Sequence, residues 1–500
     1  MSAVAERTNE RPLYGSGSVP RRTGIFGLSI WATSFAAVGF LTSLIVGVSS
    51  GDVLKGFILA AVFAVVIAPL VIRWGHRSMY EVMQLKIQWW KRAATGSTVY
   101  RSGPHSRIPG GRFRLPGLLA STTLHVGVDR LGNPFGMIYR RRGAEYTVVL
   151  ECWPGGDEAL TTPEKDLMTA DWGAYLAGLG LPGDIVAAVA IVESIPATGY
   201  RLGLEVEQSI KQSRSEIASR IQREAAVEFP SGRSQTLCRL AITFKATTRE
   251  RRTEPEEMAA ELARRLPAAY EDMLNAGVEA SPMSAEQIVA FVHRSYNPSA
   301  ERELEELEIL DESHGIDWED AGPAAAVTKW DYYRHNGVVS VVYEMKAPPE
   351  SVFTDEVLKP LLRPHDDLDR KRLALIYRPF SAGDATKQVN RDHKDARAAV
   401  NQKSGLVSAA AEMRVETTEQ ARQEQVRGAG LVRYSALMTI TCATGSEVPN
   451  ASSILESLSA RAMLKLVRAY GMQDAAFAAG LGVGVLLGEH TTTSKIARNG

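Results

Sequence analysis

The sequence predicts an α+β protein. The expected order is an N-terminal two-helix transmembrane hairpin, then two α+β lobes with antiparallel or mixed sheets, related by a structural duplication. Three observations predict it. Two long apolar runs stand near the N-terminus. Short β-prone runs alternate with helix-patterned stretches from Leu124 onward. The same order of elements then returns in the second half of the chain.

The first apolar run, Ile25 to Val48, carries no charge. At a helical rise of ~1.5 Å per residue it reaches across a hydrocarbon layer ~30 Å thick. The second, Leu54 to Ile72, has Lys55 at its start and Pro69 near its end. Only a helix satisfies its own backbone in lipid, so a spanning hairpin is expected over residues 25–72. Gly39, Ser43 and Gly47 recur at every fourth position of the first helix, and Ala60, Ala64 and Ala68 do so on the second. Small residues at this spacing make a flat strip that lets two helix backbones approach closely. Basic residues flank the pair, with Arg21 and Arg22 before it and Arg73, Arg77, Lys86 and Lys91 after it. That bias places both termini in the cytoplasm and the chain in the inner membrane as a multi-pass protein. Arg21, Arg22, Arg73, Trp74, Arg77, Trp89 and Trp90 are the expected membrane-interface anchors.

The totals narrow the function classes. The chain has 500 residues, with 57 Lys+Arg balancing 57 Asp+Glu, which argues against a general nucleic-acid binder. The balance is uneven along the chain. The juxtamembrane stretch is basic, leaving room for a direct nucleic-acid contact there, while Glu301 to Asp320 is strongly acidic. Cys152, Cys238 and Cys442 lie far apart, so none has metal-ligand or redox-motif spacing.

In order, residues 1–24 read as a polar cytoplasmic tail and 73–116 as a basic juxtamembrane helix, Met79 to Trp90, with a Gly/Pro-rich linker. The first lobe, 117–299, opens with a meander: Leu124 to Asp129, Phe135 to Tyr139 and Tyr146 to Trp153. A helix follows at Pro163 to Leu179, capped by Thr161 or Thr162, then a strand at Asp184 to Val192. A long polar helix is expected over Leu204 to Ala226, a strand over Leu237 to Ala246, and helices over Pro255 to Ala276 and Ser284 to Ser295. Residues 300–322 form an acidic linker. The second lobe, 323–500, repeats the order: strand Val338 to Lys346, helix Thr354 to Leu362, strand Leu373 to Tyr377, a long polar helical stretch from Ala382 to Arg427, strand Arg433 to Cys442 and helix Ser452 to Tyr470.

Chemistry-bearing motifs are few. The glycine-rich run Gly480 to Gly488 lacks the Gly-Lys-Ser/Thr of a phosphate-binding loop, and Glu489 would set an anion against phosphates. It reads as an apolar strand or loop. His365-Asp366-Asp367 and Arg391-Asp392-His393-Lys394-Asp395 are the densest polar clusters, each able to supply a general base or metal ligand, or simply to be solvated charge. No paired-Cys, His-Glu-x-x-His or Gly-x-Ser-x-Gly motif occurs. No catalytic residue, cofactor or metal is expected.

One segment resembles a known family. Leu464 to Leu487 is similar to part of the N-terminal, non-catalytic region of conjugative type IV secretion ATPases, at Tyr470, Gly471, Gln473, Ala476, Phe477, Leu481 and Gly482. The Pro of the family's Leu-Pro-Leu-Gly-like run is absent here. Trp330 to Pro349 and Tyr377-Arg378-Pro379 also look like that region, and the hairpin is similar to the small inner-membrane subunit that accompanies such ATPases. The whole resembles actinobacterial conjugative-element membrane proteins in which the two are joined without the motor.

The resemblance implies a non-enzymatic scaffold of a conjugative, type IV-like DNA-transfer apparatus. Implied partners are a separate secretion motor ATPase, other membrane subunits, the phospholipid bilayer and further copies of the chain. The competing expectations are a membrane component of a type VII secretion system and a membrane-anchored enzyme using His365 or His393.

Overall fold

The computed structural model describes residues 30–49, 51, 53–71, 73–74, 77–104, 106, 114–156, 159–212, 215–228, 234–347, 353–401, 409–426, 428 and 430–489. The chain divides into two compact units, one built on Val19–Thr98 and one on Val99–Val485.

The first unit holds α1 (Ile30–Ser49), α2 (Val53–Val71), a two-residue antiparallel pair β1 (Arg73–Trp74) and β2 (Arg77–Ser78), and α3 (Met79–Ala94). α1 and α2 pack against each other where their side chains are smallest. Ser43 Oγ donates to the Gly56 carbonyl at 2.6 Å, and a Cβ on Gly56 would meet Gly47 Cα at 3.0 Å. The expected spanning hairpin is corrected here. Among the described residues, no helix is long and apolar enough to cross a membrane. The inner-membrane, multi-pass placement inferred from the hairpin falls with it.

The second unit is organised by one antiparallel sheet. After β3 (Val99–Arg101), the first half runs β4 (Thr122–Val128), β5 (Pro134–Arg140), β6 (Glu145–Pro154), α4 (Thr162–Gly178), β7 (Ile185–Pro196), α5 (Tyr200–Gln212), α6 (Glu216–Glu228) and β8 (Ser234–Lys245). It ends with α7 (Arg249–Thr253), α8 (Pro255–Asn275), β9 (Val278–Pro282) and α9 (Ala285–Tyr296). Through α10 (Glu301–Ile309) the chain enters β10 (Ala325–Thr328), β11 (Tyr333–His335), β12 (Val338–Ala347), α11 (Lys359–Leu362), β13 (Arg370–Pro379), α12 (Ala382–Asn401) and α13 (Ala409–Val426). β14 (Val432–Cys442), α14 (Val448–Arg461), β15 (Lys465–Arg468) and α15 (Gln473–Gly480) follow.

The 13 strands order as β3-β10-β11-β12-β14-β13-β7-β8-β6-β5-β4, with β9 on β6 and β15 on β12. Each half therefore repeats one plan: a three-strand meander, the remaining two long strands in the same order, and a short strand returning to the meander's third. The halves join through the antiparallel β7–β13 ladder, centred on Ile191 opposite Ala374, so a local twofold relates them. Two lobes with separate sheets were expected, whereas the strands at the joint pair with each other and make one sheet.

Local sequence accounts for the elements. Asp129 Oδ1 accepts from Leu131 N at 2.9 Å and Asn133 N at 2.8 Å, tightening the first hairpin turn, and Gly132 takes φ +90° there. Glu164 accepts from Thr161 N at 2.7 Å and starts α4. α8 opens at Pro255 and buries Met258, Leu262, Leu266 and Met273, a helical stripe. The two long polar helices expected from sequence are each a pair, α5–α6 and α12–α13. The short strands β9 and β15 were hidden in stretches that read as helix end or loop.

Both faces of the sheet are covered. One face packs Val148, Leu150, Leu240 and Ile242 against α4 and α8, and Val341, Tyr343, Leu373 and Met438 against α11 and α14. The opposite face carries α9, α15 and the chain from Gly480 to Val485.

Candidate functional site

The strand positions that point to the α9/α15 face hold the most unusual side chains. Glu193 lies on β7, Arg239 on β8 and Arg372 on β13, and all three are buried. Register brings them together, because Arg372 sits opposite Glu193 across the halves and Ile191 sits opposite Arg239. Glu193 Oε2 accepts from Arg239 Nη1 at 2.9 Å, and Oε1 accepts from Arg372 Nη2 at 2.5 Å. Arg372 Nη2 also donates to Ser295 Oγ on α9 at 2.8 Å. The guanidiniums stack on equivalent aromatics, Arg239 over Phe291 at 4.6 Å and Arg372 over Phe477 at 5.5 Å. Burial alone would raise the Glu193 pKa, but Arg372 and Arg239 more than offset it and hold the carboxyl at about 2. A second layer adds Glu301, which accepts from Arg370 at 2.8 Å and Arg294 at 3.4 Å. The acidic stretch is thus partly an ion-pair partner of the sheet and not only a solvated face.

Beside this cluster, His335 is fully enclosed. Its Nδ1 donates to the Tyr296 carbonyl at 2.6 Å, and Nε2 accepts from Ser340 Oγ at 2.8 Å, which in turn contacts Thr441 Oγ1 at 2.7 Å. Burial pushes its pKa down to about 4, so the ring is neutral and the chain of hydroxyls is fixed in direction. On the other face, Lys371 Nζ donates to the carbonyls of Leu361, at 3.0 Å, and Arg363, closing the end of α11. Burial lowers its pKa to about 8.

The residues carrying the family resemblance are all architectural. Tyr470 stacks on Trp330 at 5.8 Å between ring centroids. Gly471 has φ +74°, and a Cβ there would meet the Trp330 ring at 2.7 Å. Gln473 is wholly buried: Oε1 accepts from Val342 N at 2.8 Å, and Nε2 donates to Val342 O at 3.1 Å and Ala469 O at 3.0 Å. Val342 lies where β12 exchanges β11 for β15, so the amide fills a gap in the ladder. Ala476, Phe477 and Leu481 are core residues, and Gly482, at φ +74°, lies against Ile191. The glycine run crosses the sheet face, with Gly484 against Thr147.

The other expected positions scatter. Gly39, Ser43 and Gly47 face α2, but they meet Phe63 and Gly56; Ala64 is exposed and Ala60 half-buried. Arg73 and Trp74 lie on β1 and Arg77 on β2; Trp89 is half-buried and Trp90 is 73% exposed on α3. Arg21 and Arg22 fall outside the described residues, as does the side chain of Ala68.

His365 sits in an exposed turn, its Nδ1 accepting from Asp367 N at 3.2 Å. His393 is buried between α12 and α13, with Nδ1 3.2 Å from Thr418 Oγ1 and Nε2 3.3 Å from Glu419 Oε2. It borders an open cleft of about 590 Å³ lined by Arg397, Glu412, Glu416 and Gln423. The structure also sets Cys152 directly opposite Cys238 on β6 and β8, a pairing their spacing concealed. Both are free thiols, and burial pushes Cys152 up to about 12, away from a reactive thiolate. Among the described residues, no group of His, Cys, Asp and Glu side chains could hold a metal ion.

Sequence reasoning missed Glu193, Arg239, Arg372 and His335. For Glu193 and Arg239 the available signal was a lone charge inside an apolar strand run, as in Val189–Pro196 and Leu237–Phe244, whereas Arg372 and His335 stand next to other charges and carry no such signal.

A family model described as a domain of unknown function, DUF8461, matches residues 21–81. No curated protein matches the chain. The conjugation and secretion terms expected from the resemblance find no support in these comparisons, and the transmembrane term is overturned by the helices themselves.

Proposed function

We propose that this chain is a non-enzymatic scaffold that holds partner proteins, a motor ATPase being the partner nominated by the Leu464 to Leu487 resemblance. The observation that carries this reading is the placement of the two helix pairs. α5–α6 links β7 to β8, and α12–α13 links β13 to β14, in equivalent places of the duplicated sheet. Because β7 and β13 are antiparallel, the pairs leave from opposite ends of the sheet. Both carry exposed apolar side chains on polar helices, Ile217 and Ile221 on one and Met413 and Val426 on the other. The buried Glu193, Arg239 and Arg372, in contrast, are paired with one another under α9 and α15. Two helix pairs with exposed apolar side chains suit docking more than turnover.

The test is crosslinking in the native host with the full-length chain, followed by identification of bound proteins. A motor ATPase captured by wild type and lost in I217E/I221E and M413E/V426E supports the reading. Capture of no ATPase overturns it.

The His393–Glu419 pair at an open cleft favours a second reading, a hydrolytic or acid–base enzyme. His393→Ala and His365→Ala separate the two: the scaffold keeps its binding and biological activity, whereas an enzyme loses activity with binding intact.

A further inference from the structure

We propose that β4 is a self-association edge, at which a second copy of this chain adds its own β4 antiparallel across a twofold. The duplication supplies the first argument. β10 is the counterpart of β4 in the second half, and its outer edge is filled by β3, with Ala325, Ala326 and Val327 opposite Arg101, Tyr100 and Val99. β4 ends the sheet at the other side, and among the described residues it pairs with β5 alone. The fold therefore accepts an extended segment on this edge in one half and, among the described residues, leaves the same edge without a second strand in the other.

The chemistry of the strand is the second argument. Exposed sheet edges in monomeric proteins are normally blunted by shortness, a charge, a proline or a bulge. β3 follows that rule, with three residues and an exposed Arg101. β4 does not. Thr122–Val128 reads Thr-Thr-Leu-His-Val-Gly-Val, seven residues with no charge and no proline, in unbroken register with β5. At ~3.3 Å per residue it offers about 23 Å of edge. Val126 is 63% exposed and Val128 57%, on one face of the strand, and Leu131 in the following turn is 67% exposed.

Self-pairing suits this composition. An antiparallel twofold pair sets the Leu124, Val126 and Val128 row of one copy beside the same row of the other, apolar against apolar, with no like charges opposed. Backbone hydrogen bonds supply the remainder, as in strand addition generally. Docking through the helix pairs is independent of this contact.

The experiment uses the full-length chain. Val126→Cys, treated with a short bismaleimide, is expected to give a covalent dimer, while wild type and Asp366→Cys do not. In sedimentation equilibrium, V126K/V128K is expected to raise the dimer dissociation constant by at least about tenfold, since it opposes like charges, with an unchanged circular dichroism spectrum. The proposal is overturned if Val126→Cys yields no dimer, or if association survives V126K/V128K. A Val126→Cys adduct in cells to a different protein overturns the second-copy assignment.

Discussion

Gln473 completes Val342. One side-chain amide accepts from the Val342 N–H at 2.8 Å and donates to its carbonyl at 3.1 Å, at the point where β12 changes neighbours. A strand interior thus borrows a side chain as a strand. The matching carbonyl of the first half, Val149 O, accepts from Met283 N at 2.9 Å, just as Val342 O also accepts from Ala469 N at 2.9 Å; the amide adds the acceptor for the Val342 N–H. Gln473→Leu leaves the Val342 N–H buried without its partner, while the Val342 carbonyl keeps only its bond from Ala469 N. The expected loss is about 2–4 kcal/mol in urea unfolding, and Gln473→Glu does no better because it cannot donate to Val342 O.

Glu193 is the carboxylate shared by two buried guanidiniums, so Glu193→Gln removes the negative charge between them and leaves both buried cations uncompensated. We expect a loss of about 3–5 kcal/mol. The acid limb also changes. The folded pKa of about 2 lies below the ordinary 4.5, so Glu193 contributes stability above pH 4.5 and loses it as pH falls toward 2. Unfolding measured across that window should lose part of its slope in the variant.

His335 acts at higher pH. Its folded pKa of about 4 lies below the ordinary 6.5, so the unfolded chain binds the extra proton and stability falls as pH drops from 6.5 to 4. His335→Gln should flatten this limb while leaving the Glu193 limb in place. A pH titration of the denaturation midpoint separates the two.

Gly482 occupies φ +74°, and a side chain there would collide with Ile191 Cδ1. Gly482→Ala is expected to cost about 1–3 kcal/mol through backbone strain and overpacking. Gly383→Ala, in open space on α12, serves as the control and should be neutral or slightly stabilising. Thermal unfolding of the two checks the assignment.

Much of the fold was legible because periodicity is local. The alternation from Val338 to Lys346 is set by which side chains the pleat buries, and it matches β12 within a residue. The 14-residue helix α14 was likewise readable, but β15, four residues long, fell inside the helix expected over Ser452 to Tyr470. A short strand has too few periods to announce itself. The apolar runs read as membrane spans because length and absence of charge were the only criteria, and among the described residues no helix is long and apolar enough to cross a membrane.

The sequence by itself determined the alternation of elements, the repeated order in the two halves, the turns at Gly132 and Gly143 and the helix start at Thr161, since each depends on neighbours within a few residues. Only the tertiary structure decided that the halves share one sheet through Ile191 and Ala374. It alone brought Glu193 between Arg239 and Arg372, set Cys152 opposite Cys238, and turned the family-like segment into core. Those contacts join residues from distant parts of the chain, and strand register, which no local pattern encodes, selects which of them meet.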